Sequence, residues 1–194
     1  MKNLLFLVLI ITALTIVTGC EKSTTTDTLN EDLCAGVDCQ NGGTCYLGLC
    51  DCSTGWTGSD CSTQVTPSKI QINKIVIRDF PQYDNGSTWD LNSGPDIFVK
   101  FALGSNVIYT QPTVFQDASS GHSLTLTPSQ PIIVTSPLSR YAIYLYDYDS
   151  GFGGNNDYMG GVEFNIYSST NNFPGVVTAS YGSIKVDFYI TYNW

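Results

Sequence analysis

The chain has 194 residues and carries 8 Lys and Arg residues against 17 Asp and Glu residues, for a formal net charge of −9. This acidic balance argues against nucleic-acid binding, because affinity for nucleic acid comes largely from Lys and Arg contacts to phosphate. It argues equally against simple electrostatic attraction to anionic lipid. With 18 glycines, 12 tyrosines and only 13% charged residues, the composition predicts strands and turns rather than helices.

The first twenty residues have the pattern of an export signal. A positive start at Lys2 precedes an apolar run over residues 4–17, which is shorter than the roughly 20 residues that a membrane-spanning helix needs. We therefore predict a signal peptide over residues 1–19. Its end, Val17-Thr18-Gly19-Cys20, resembles the bacterial lipobox, which implies a lipoprotein in which Cys20 is lipidated and becomes the first mature residue. The alternative is an ordinary signal peptide cleaved nearby, with Cys20 as a stray cysteine.

The lipobox resemblance also predicts where the protein resides. Lipidated Cys20 would attach the exported chain to the membrane at the bacterial cell envelope, and we expect the outer membrane or the cell surface. Residues 20–30 are rich in Ser and Thr and show no apolar period, which predicts a flexible polar tether.

Six of the seven cysteines fall within a short stretch that has almost no aliphatic core. They are Cys34, Cys39, Cys45, Cys50, Cys52 and Cys61. A unit of this size, predicted over residues 31–63, needs cross-links to fold, and such dense cysteines indicate an oxidising compartment. Clustered cysteines also bind zinc, but these lack the paired spacing of a zinc knuckle. Their spacing alone leaves the disulfide connectivity open.

Two motifs in this stretch resemble the EGF-like family. They are Asn41-Gly42-Gly43-Thr44-Cys45 and the run from Cys50 to Cys61, which includes Gly55-Trp56-Thr57-Gly58. The resemblance implies the disulfide pairs Cys34–Cys45, Cys39–Cys50 and Cys52–Cys61. The interval between Cys45 and Cys50 is shorter than in most of the family, which predicts a short central hairpin. We also expect Trp56 to pack over the region of the last bridge.

The rest of the chain, residues 67–194, follows a linker at residues 62–68 and has the pattern of a β-sandwich. The clearest strand covers residues 184–192, where apolar and polar residues alternate with the period of two that buries one face. Further strands are predicted at residues 70–77, 97–103, 107–114, 124–126, 132–134, 141–146 and 161–167. The predicted fold class is therefore mainly β, with a small disulfide-rich EGF-like module followed by an antiparallel β-sandwich.

Aspartates cluster in two loops of the predicted sandwich, each at the end of a strand. They are Asp84, Asp90 and Asp96 in the first loop, and Asp147, Asp149 and Asp157 in the second. Like charges that lie close together repel, so such clusters indicate a compensating cation. Oxygen-rich sites in flexible loops suit Ca²⁺, which takes carboxylate and carbonyl ligands. The alternative is that these aspartates only cap turns.

The same loops resemble those of a C2 domain. In that family two aspartates six residues apart precede a strand that begins like Ile97-Phe98-Val99-Lys100, and an Asp-x-Asp pair is followed by a further Asp and then x-x-Gly. The resemblance implies a C2-like sandwich whose calcium ligands are Asp90, Asp96, Asp147, Asp149 and Asp157. Asp84 lies outside the matched positions and is a weaker candidate. The interval between Asp149 and Asp157 is longer than usual.

The sequence favours a binding protein over an enzyme. His122 is the one histidine, and no phosphate-binding loop or nucleophile motif is present. We expect a cell-surface binding or adhesion module that uses calcium, with an extracellular protein, a glycan or a lipid as its ligand. C2 domains dock on phospholipid through apolar loop tips, a role open to Trp89 and Phe152. The alternative is a structural surface lipoprotein whose sandwich works without calcium and whose EGF-like unit is a spacer.

Overall fold

The computed structural model describes residues 33–149 and 155–194. The predicted signal peptide, Cys20, the tether and Phe152 lie outside the described residues. Within them, no helix has the length and apolar character needed to cross a membrane.

All named elements of the described residues are β-strands, which confirms the predicted fold class. The strands are β1 (Thr44–Tyr46), β2 (Leu49–Asp51), β3 (Trp56–Thr57), β4 (Thr63–Gln64), β5 (Lys69–Asp79), β6 (Ile97–Leu103), β7 (Asn106–Thr110), β8 (Leu124–Leu126), β9 (Ile132–Val134), β10 (Arg140–Asp147), β11 (Asp157–Asn165), β12 (Val176–Tyr181) and β13 (Ile184–Asn193).

The cysteine-rich unit is built from two small hairpins. Strands β1 and β2 pair with Tyr46 opposite Leu49, so the central hairpin is as short as the cysteine spacing predicts. Strands β3 and β4 form the second hairpin. Three disulfides hold the unit, and they join Cys34 to Cys45, Cys39 to Cys50 and Cys52 to Cys61. These are the pairs that the EGF-like resemblance implies.

The larger part is a sandwich of two antiparallel sheets. One sheet has the strand order β11-β10-β6-β7, and the other has the order β12-β13-β5-β8 with β9 also paired to β5. Side chains of both sheets meet in the core, where the Phe164 and Phe188 rings stack with centroids 4.5 Å apart. Phe101 packs against both of them. No cysteine lies in the sandwich, so burial of apolar surface supplies its stability.

The alternation of strand β5 is interrupted once, and the structure shows why. Ile70 and Ile72 are fully buried, as are Ile75 and Ile77, although two residues, Asn73 and Lys74, lie between the two pairs. The pairing with β13 shifts register between Tyr189 and Ile190, which is a bulge. A bulge lets both isoleucine pairs face the core, because it adds one residue to one strand of the pair.

Three strand predictions differ from the structure. The strand predicted over residues 107–114 ends at Thr110. The Gln111 side chain accepts a hydrogen bond from the backbone N–H of Val99, and Pro112, which follows, has no N–H to continue the pairing. The strand predicted over residues 161–167 is instead β11, although the buried residues Ile166 and Tyr167 continue past its end. Strand β12 was not predicted, because its exposed Val176 and Tyr181 break the apolar alternation.

The predicted linker at residues 62–68 is structured and joins the two parts closely. Thr63 and Gln64 form β4, and the N–H of Ser68 donates to the carbonyl of Asn193 at 2.8 Å. The indole Nε1 of the last residue, Trp194, donates to the carbonyl of Val65 at 3.2 Å. A short connection with three fixed contacts is therefore part of the fold rather than a free spacer.

Trp56, which the sequence predicts to pack over the region of the last bridge, contacts an aromatic ring of the sandwich. Its ring meets the edge of Phe173 with centroids 5.5 Å apart, and Phe173 also contacts Trp194 at 5.2 Å. We call Trp56, Phe173, Tyr192 and Trp194, together with Gly55 beneath Trp194, the aromatic junction. It buries aromatic surface between the cysteine-rich unit and the sandwich.

Candidate metal centre

Two loops meet at one end of the sandwich because of the strand order. Strands β6 and β10 are antiparallel neighbours, with Ile97 at the start of one opposite Asp147 at the end of the other. Asp96 immediately precedes β6, and Asp149 is the second residue after β10. The topology therefore brings the two acidic segments of the sequence, which lie about fifty residues apart, to the same edge of the sheet.

Three aspartates form the closest group at this end. Carboxylate oxygens of Asp90, Asp147 and Asp149 all lie within 4.8 Å of one another. Asp147 is 0% exposed, whereas Asp90 and Asp149 are half-buried at the rim. An arrangement of three carboxylates that converge on one point has the chemistry of a hard-cation site.

Asp147 has one oxygen satisfied and one not. Its Oδ1 accepts a hydrogen bond from the backbone N–H of Asp96 at 2.6 Å. Its Oδ2 is buried and has no hydrogen-bond partner. A buried polar atom without a partner destabilises the fold by about 1–3 kcal/mol, and more when it is charged. A cation between the three carboxylates would satisfy this oxygen.

The electrostatics of the group follow from burial and crowding. The pKa of Asp147 is raised to about 6, mainly by burial and further by the negative charges of Asp90, Asp149 and Asp96, which together outweigh the lowering effect of the Asp96 N–H bond. Burial also raises the pKa of Asp90, with added repulsion from Asp96, Asp149 and Asp117. Carboxylates whose pKa values are raised by one another gain stability when a cation joins them.

Backbone hydrogen bonds hold the two loops in place. The N–H of Tyr148 donates to the carbonyl of Asp96 at 2.8 Å, which continues the pairing of β6 and β10 beyond their ends. The N–H of Asp149 donates to the side chain of Asn156 at 3.3 Å. Asp149 is thus positioned by its own loop, and Asp147 by the loop opposite.

A third loop, which the sequence reasoning did not include, completes the rim. The N–H of Asp117 donates to Oδ1 of Asp96 at 2.9 Å, and the N–H of Ala118 donates to the carbonyl of Pro95 at 2.8 Å. Gly94 allows this approach, since a Cβ there would overlap the Ala118 carbonyl. The Asp117 charge reaches Asp90, but a lone aspartate between β7 and β8 gives no sequence signal of that proximity.

The six predicted ligands divide into three sets. Asp90, Asp147 and Asp149 form the group. Asp96 adjoins it, with its backbone on Asp147 and its carboxylate on Asp117. Asp84 and Asp157 are not among the three grouped carboxylates.

Asp84 is engaged in turn chemistry, which was the alternative for these aspartates. Its N–H and carbonyl both bond to Ser87, and its carboxylate accepts from the side chain of Asn85. Asn85 and Gly86 have positive φ angles of 48° and 93°, as a tight hairpin turn requires. Asp157 is exposed at the start of β11, opposite Asp147 in the strand register.

Neither predicted membrane tip is established. Trp89 packs against the core, and its Nε1 donates to the carbonyl of Pro81 at 3.0 Å. This contact makes Trp89 a packing residue, and Phe152 lies outside the described residues.

Comparison with known proteins identifies the type of domain that the cysteine-rich unit forms. Residues 34–61 match the family model of the EGF-like domain. These residues form an EGF-like domain. The chain is also 59% identical over 38 residues to the human multiple epidermal growth factor-like domains protein 6, a match that covers 19% of this chain. The chain spans only 2% of that protein, so the likeness concerns the EGF-like domain alone.

The sandwich has weaker structural neighbours. A solved C2 domain is 15% identical with a TM-score of 0.41, and the match covers 63% of this chain and 94% of that one. Human GIVD cytosolic phospholipase A2 is 17% identical with a TM-score of 0.42, and the match covers 66% of this chain and 17% of that one. Neither similarity is high enough to assign a function to the loops.

Proposed function

We propose that this protein is a cell-surface, lipid-anchored binding module that holds Ca²⁺ among Asp90, Asp147 and Asp149. The observation that carries the proposal is that the carboxylate of Asp147, whose Oδ2 is buried and unpartnered, lies within 4.8 Å of carboxylate oxygens of Asp90 and Asp149. A lone cluster of surface carboxylates needs no ion, but a buried carboxylate oxygen without a donor needs a partner.

The ligand chemistry favours Ca²⁺ over other ions. The grouped side chains are all carboxylates, whereas zinc sites use His and Cys. Two of the three sit on loops at the rim, which fits an ion that tolerates irregular geometry better than Mg²⁺ does. The neighbouring Asp96 and Asp117 add negative charge without joining the group.

The surroundings of the group favour binding over catalysis. Among the described residues, the group consists of Asp90, Asp147 and Asp149, and no His or Cys joins it as a base or nucleophile. Nδ1 of His122, the one histidine of the sequence, lies 3.3 Å from Oγ of Ser119 in an exposed turn. An ion held here therefore shapes a surface.

The location follows from the EGF-like domain and the leader. A disulfide-rich EGF-like domain indicates an extracellular or exported protein, because disulfides persist in oxidising compartments. Lipidation of Cys20 then supplies the attachment to the cell envelope, and residues 20–30 supply the tether. Binding of an extracellular protein, glycan or lipid is the role that such a display serves.

Direct titration tests the proposal. Chelator-treated protein is titrated with CaCl₂ and separately with MgCl₂ in a calorimeter, and we expect saturable binding of calcium with weaker binding of magnesium. Asp147→Asn should abolish that heat, because it removes the buried charge, whereas Asp84→Asn should leave it unchanged, because Asp84 lies in a turn outside the group. If the wild type and Asp147→Asn gave equal heats of calcium binding, or none, the ion would not bind at this group. The better account would then be a structural surface lipoprotein whose sandwich works without calcium.

A further inference from the structure

The outer face of the four-stranded sheet is aromatic where a solvated face is usually polar. Tyr146 lies between two rings in register, Phe98 on β6 and Tyr158 on β11. Their ring centroids lie 5.3 Å and 5.6 Å from that of Tyr146. Tyr144, next on the same face of β10, contacts Tyr158 at 6.2 Å. We call Phe98, Tyr144, Tyr146 and Tyr158 the tyrosine face.

The rings of the tyrosine face are held in place by their neighbours. Tyr144 lies across Gly161, its partner on β11, so closely that a Cβ at this position would overlap the ring. The ammonium of Lys100 sits 4.4 Å from the centroid of Tyr146. Tyr158 remains 57% exposed at the edge. Aromatic side chains that are already fixed lose little entropy when a ligand stacks on them.

Polar groups of opposite charge border this face. A depression of about 150 Å³ beside Tyr144 is lined by Ala142, Arg140 and Glu163, among others. Nε of Arg140 lies 2.9 Å from Oε2 of Glu163, so the pair offers both hydrogen-bond donors and acceptors with no net charge. The depression therefore has the small side chain of Ala142, the ring of Tyr144 and the Arg140–Glu163 ion pair side by side.

We propose that the tyrosine face binds a neutral polysaccharide. A sugar ring presents an apolar C–H face that can stack on tyrosine, and hydroxyl edges that can bond to Arg140, Glu163 and the phenol hydroxyls. Lys100 over Tyr146 puts one positive charge on the face, but the paired charges at the rim and the net charge of −9 disfavour an anionic polymer or an acidic membrane.

This inference rests on the proposed function and names its ligand. Tyr146 immediately precedes Asp147, and Tyr158 immediately follows Asp157, so the tyrosine face lies at the same end of the sheet as the metal centre. A glycan that crosses the tyrosine face reaches the acidic loops, where its hydroxyls can complete the coordination shell of a calcium ion. Calcium should therefore strengthen the binding of the glycan.

Affinity electrophoresis of the full chain in nonionic detergent tests the inference. Native gels contain dextran, xylan, galactomannan or β-glucan, each with calcium or with EDTA. We expect at least one polysaccharide to retard the protein, more strongly with calcium. Tyr158→Ala and Tyr144→Ala should weaken the binding on the order of tenfold, as expected when a stacking ring is lost. Tyr46→Ala is the matched control, because Tyr46 is 64% exposed on β1, in the cysteine-rich unit rather than in the sandwich.

The outcomes separate this inference from the metal site. Tyr158→Ala removes a ring that is 57% exposed, so the variant should stay folded and melt only a few degrees below the wild type, through the loss of its contacts with Tyr144 and Tyr146. Its binding can then be judged directly. No retardation by any of the four polysaccharides, or equal retardation of Tyr158→Ala and the wild type, overturns the inference. The inference is also overturned if the protein binds soluble dihexanoyl phosphatidylserine instead of the glycans and if that binding is lost in Tyr158→Ala. Calcium stabilisation in the same samples would leave the metal centre intact in each case.

Discussion

The carboxylate of Asp147 accepts the backbone N–H of Asp96 at 2.6 Å and leaves its other oxygen buried without a partner. One side chain thus fixes the start of β6 against the end of β10 and also presents a charge to the space between the loops. Without a cation, this charge destabilises the fold. With a cation, the same charge becomes the best-shielded ligand of the site.

The first prediction concerns pH. Burial and neighbouring charges raise the pKa of Asp147 from 3.8 to about 6, so the folded state binds this proton more tightly than the unfolded state. Stability of the metal-free protein should therefore fall as the pH rises through this window, by the contribution of Asp147. Melting temperatures in EDTA between pH 4.5 and 7.5 measure the effect.

Asp147→Asn is the control for the pH series. Asparagine keeps an oxygen that can accept the Asp96 N–H but carries no charge to bury. In EDTA above pH 6 the variant should melt at or above the temperature of the wild type, and its own pH dependence should be flatter. A steeper loss of stability in the variant than in the wild type would contradict the assignment of the raised pKa to this residue.

The second prediction concerns the aromatic junction. Gly55 has a φ of +91°, and a Cβ there would lie 2.6 Å from Cζ2 of Trp194. Gly55→Ala should lower stability by about 1–3 kcal/mol beyond its backbone strain, because it overpacks the junction. Gly36→Ala is matched, since Gly36 has a φ of +79° and open space around it. Equal melting temperatures of the two variants would mean that Trp194 moves aside freely.

The third prediction concerns the glycine beneath Tyr144. Gly161→Ala should displace that ring and lower the stability by about 1–3 kcal/mol, because the new methyl group also meets the Ile143 carbonyl at 3.0 Å. Gly175→Ala, where no atom lies within 4 Å of the added Cβ, should change stability little. Urea unfolding followed by tyrosine and tryptophan fluorescence compares them. A neutral Gly161→Ala would show that the tyrosine face is not fixed by its sheet.

The fourth prediction concerns Asp117, which sequence reasoning missed. Its negative charge contributes to the raised pKa of Asp90 without joining the group of three carboxylates. Asp117→Asn should therefore weaken calcium binding only several-fold, through lost long-range attraction, and the loss should shrink as salt is raised. Calorimetric titrations at about 0.05 M and 0.5 M NaCl measure this difference. A complete loss of binding would make Asp117 a direct ligand instead.

Local patterns predicted much of this fold. The alternation of residues 184–192 predicted β13, and the EGF-like motifs implied the three disulfides that the structure forms. Strand ends were less accurate: β7 ends at Thr110, where the Gln111 side chain takes up the Val99 N–H through a hydrogen bond that no periodicity encodes. Strand β12 was missed because it is an edge strand held by its pairing with β13 and by few buried side chains.

The site was predicted in part for a similar reason. Sequence order and loop motifs singled out Asp90, Asp147 and Asp149, which the β6–β10 pairing brings together. They also singled out Asp84, whose own hairpin turn takes up its hydrogen-bonding groups. Which of several nearby aspartates converge depends on loop geometry, such as the close approach that Gly94 allows, and local sequence does not report it.

The most direct test of the metal centre is thermal unfolding of the protein at pH 7.5 in EDTA, in millimolar magnesium and in millimolar calcium. At a concentration about 100 times the dissociation constant, calcium should add about 2.7 kcal/mol, or roughly 5–10 °C in the melting temperature. Asp147→Asn/Asp149→Asn should lose this rise, and Asp84→Asn should keep it. If calcium left the wild type unchanged, or raised the double variant equally, the aspartates would not form a calcium site.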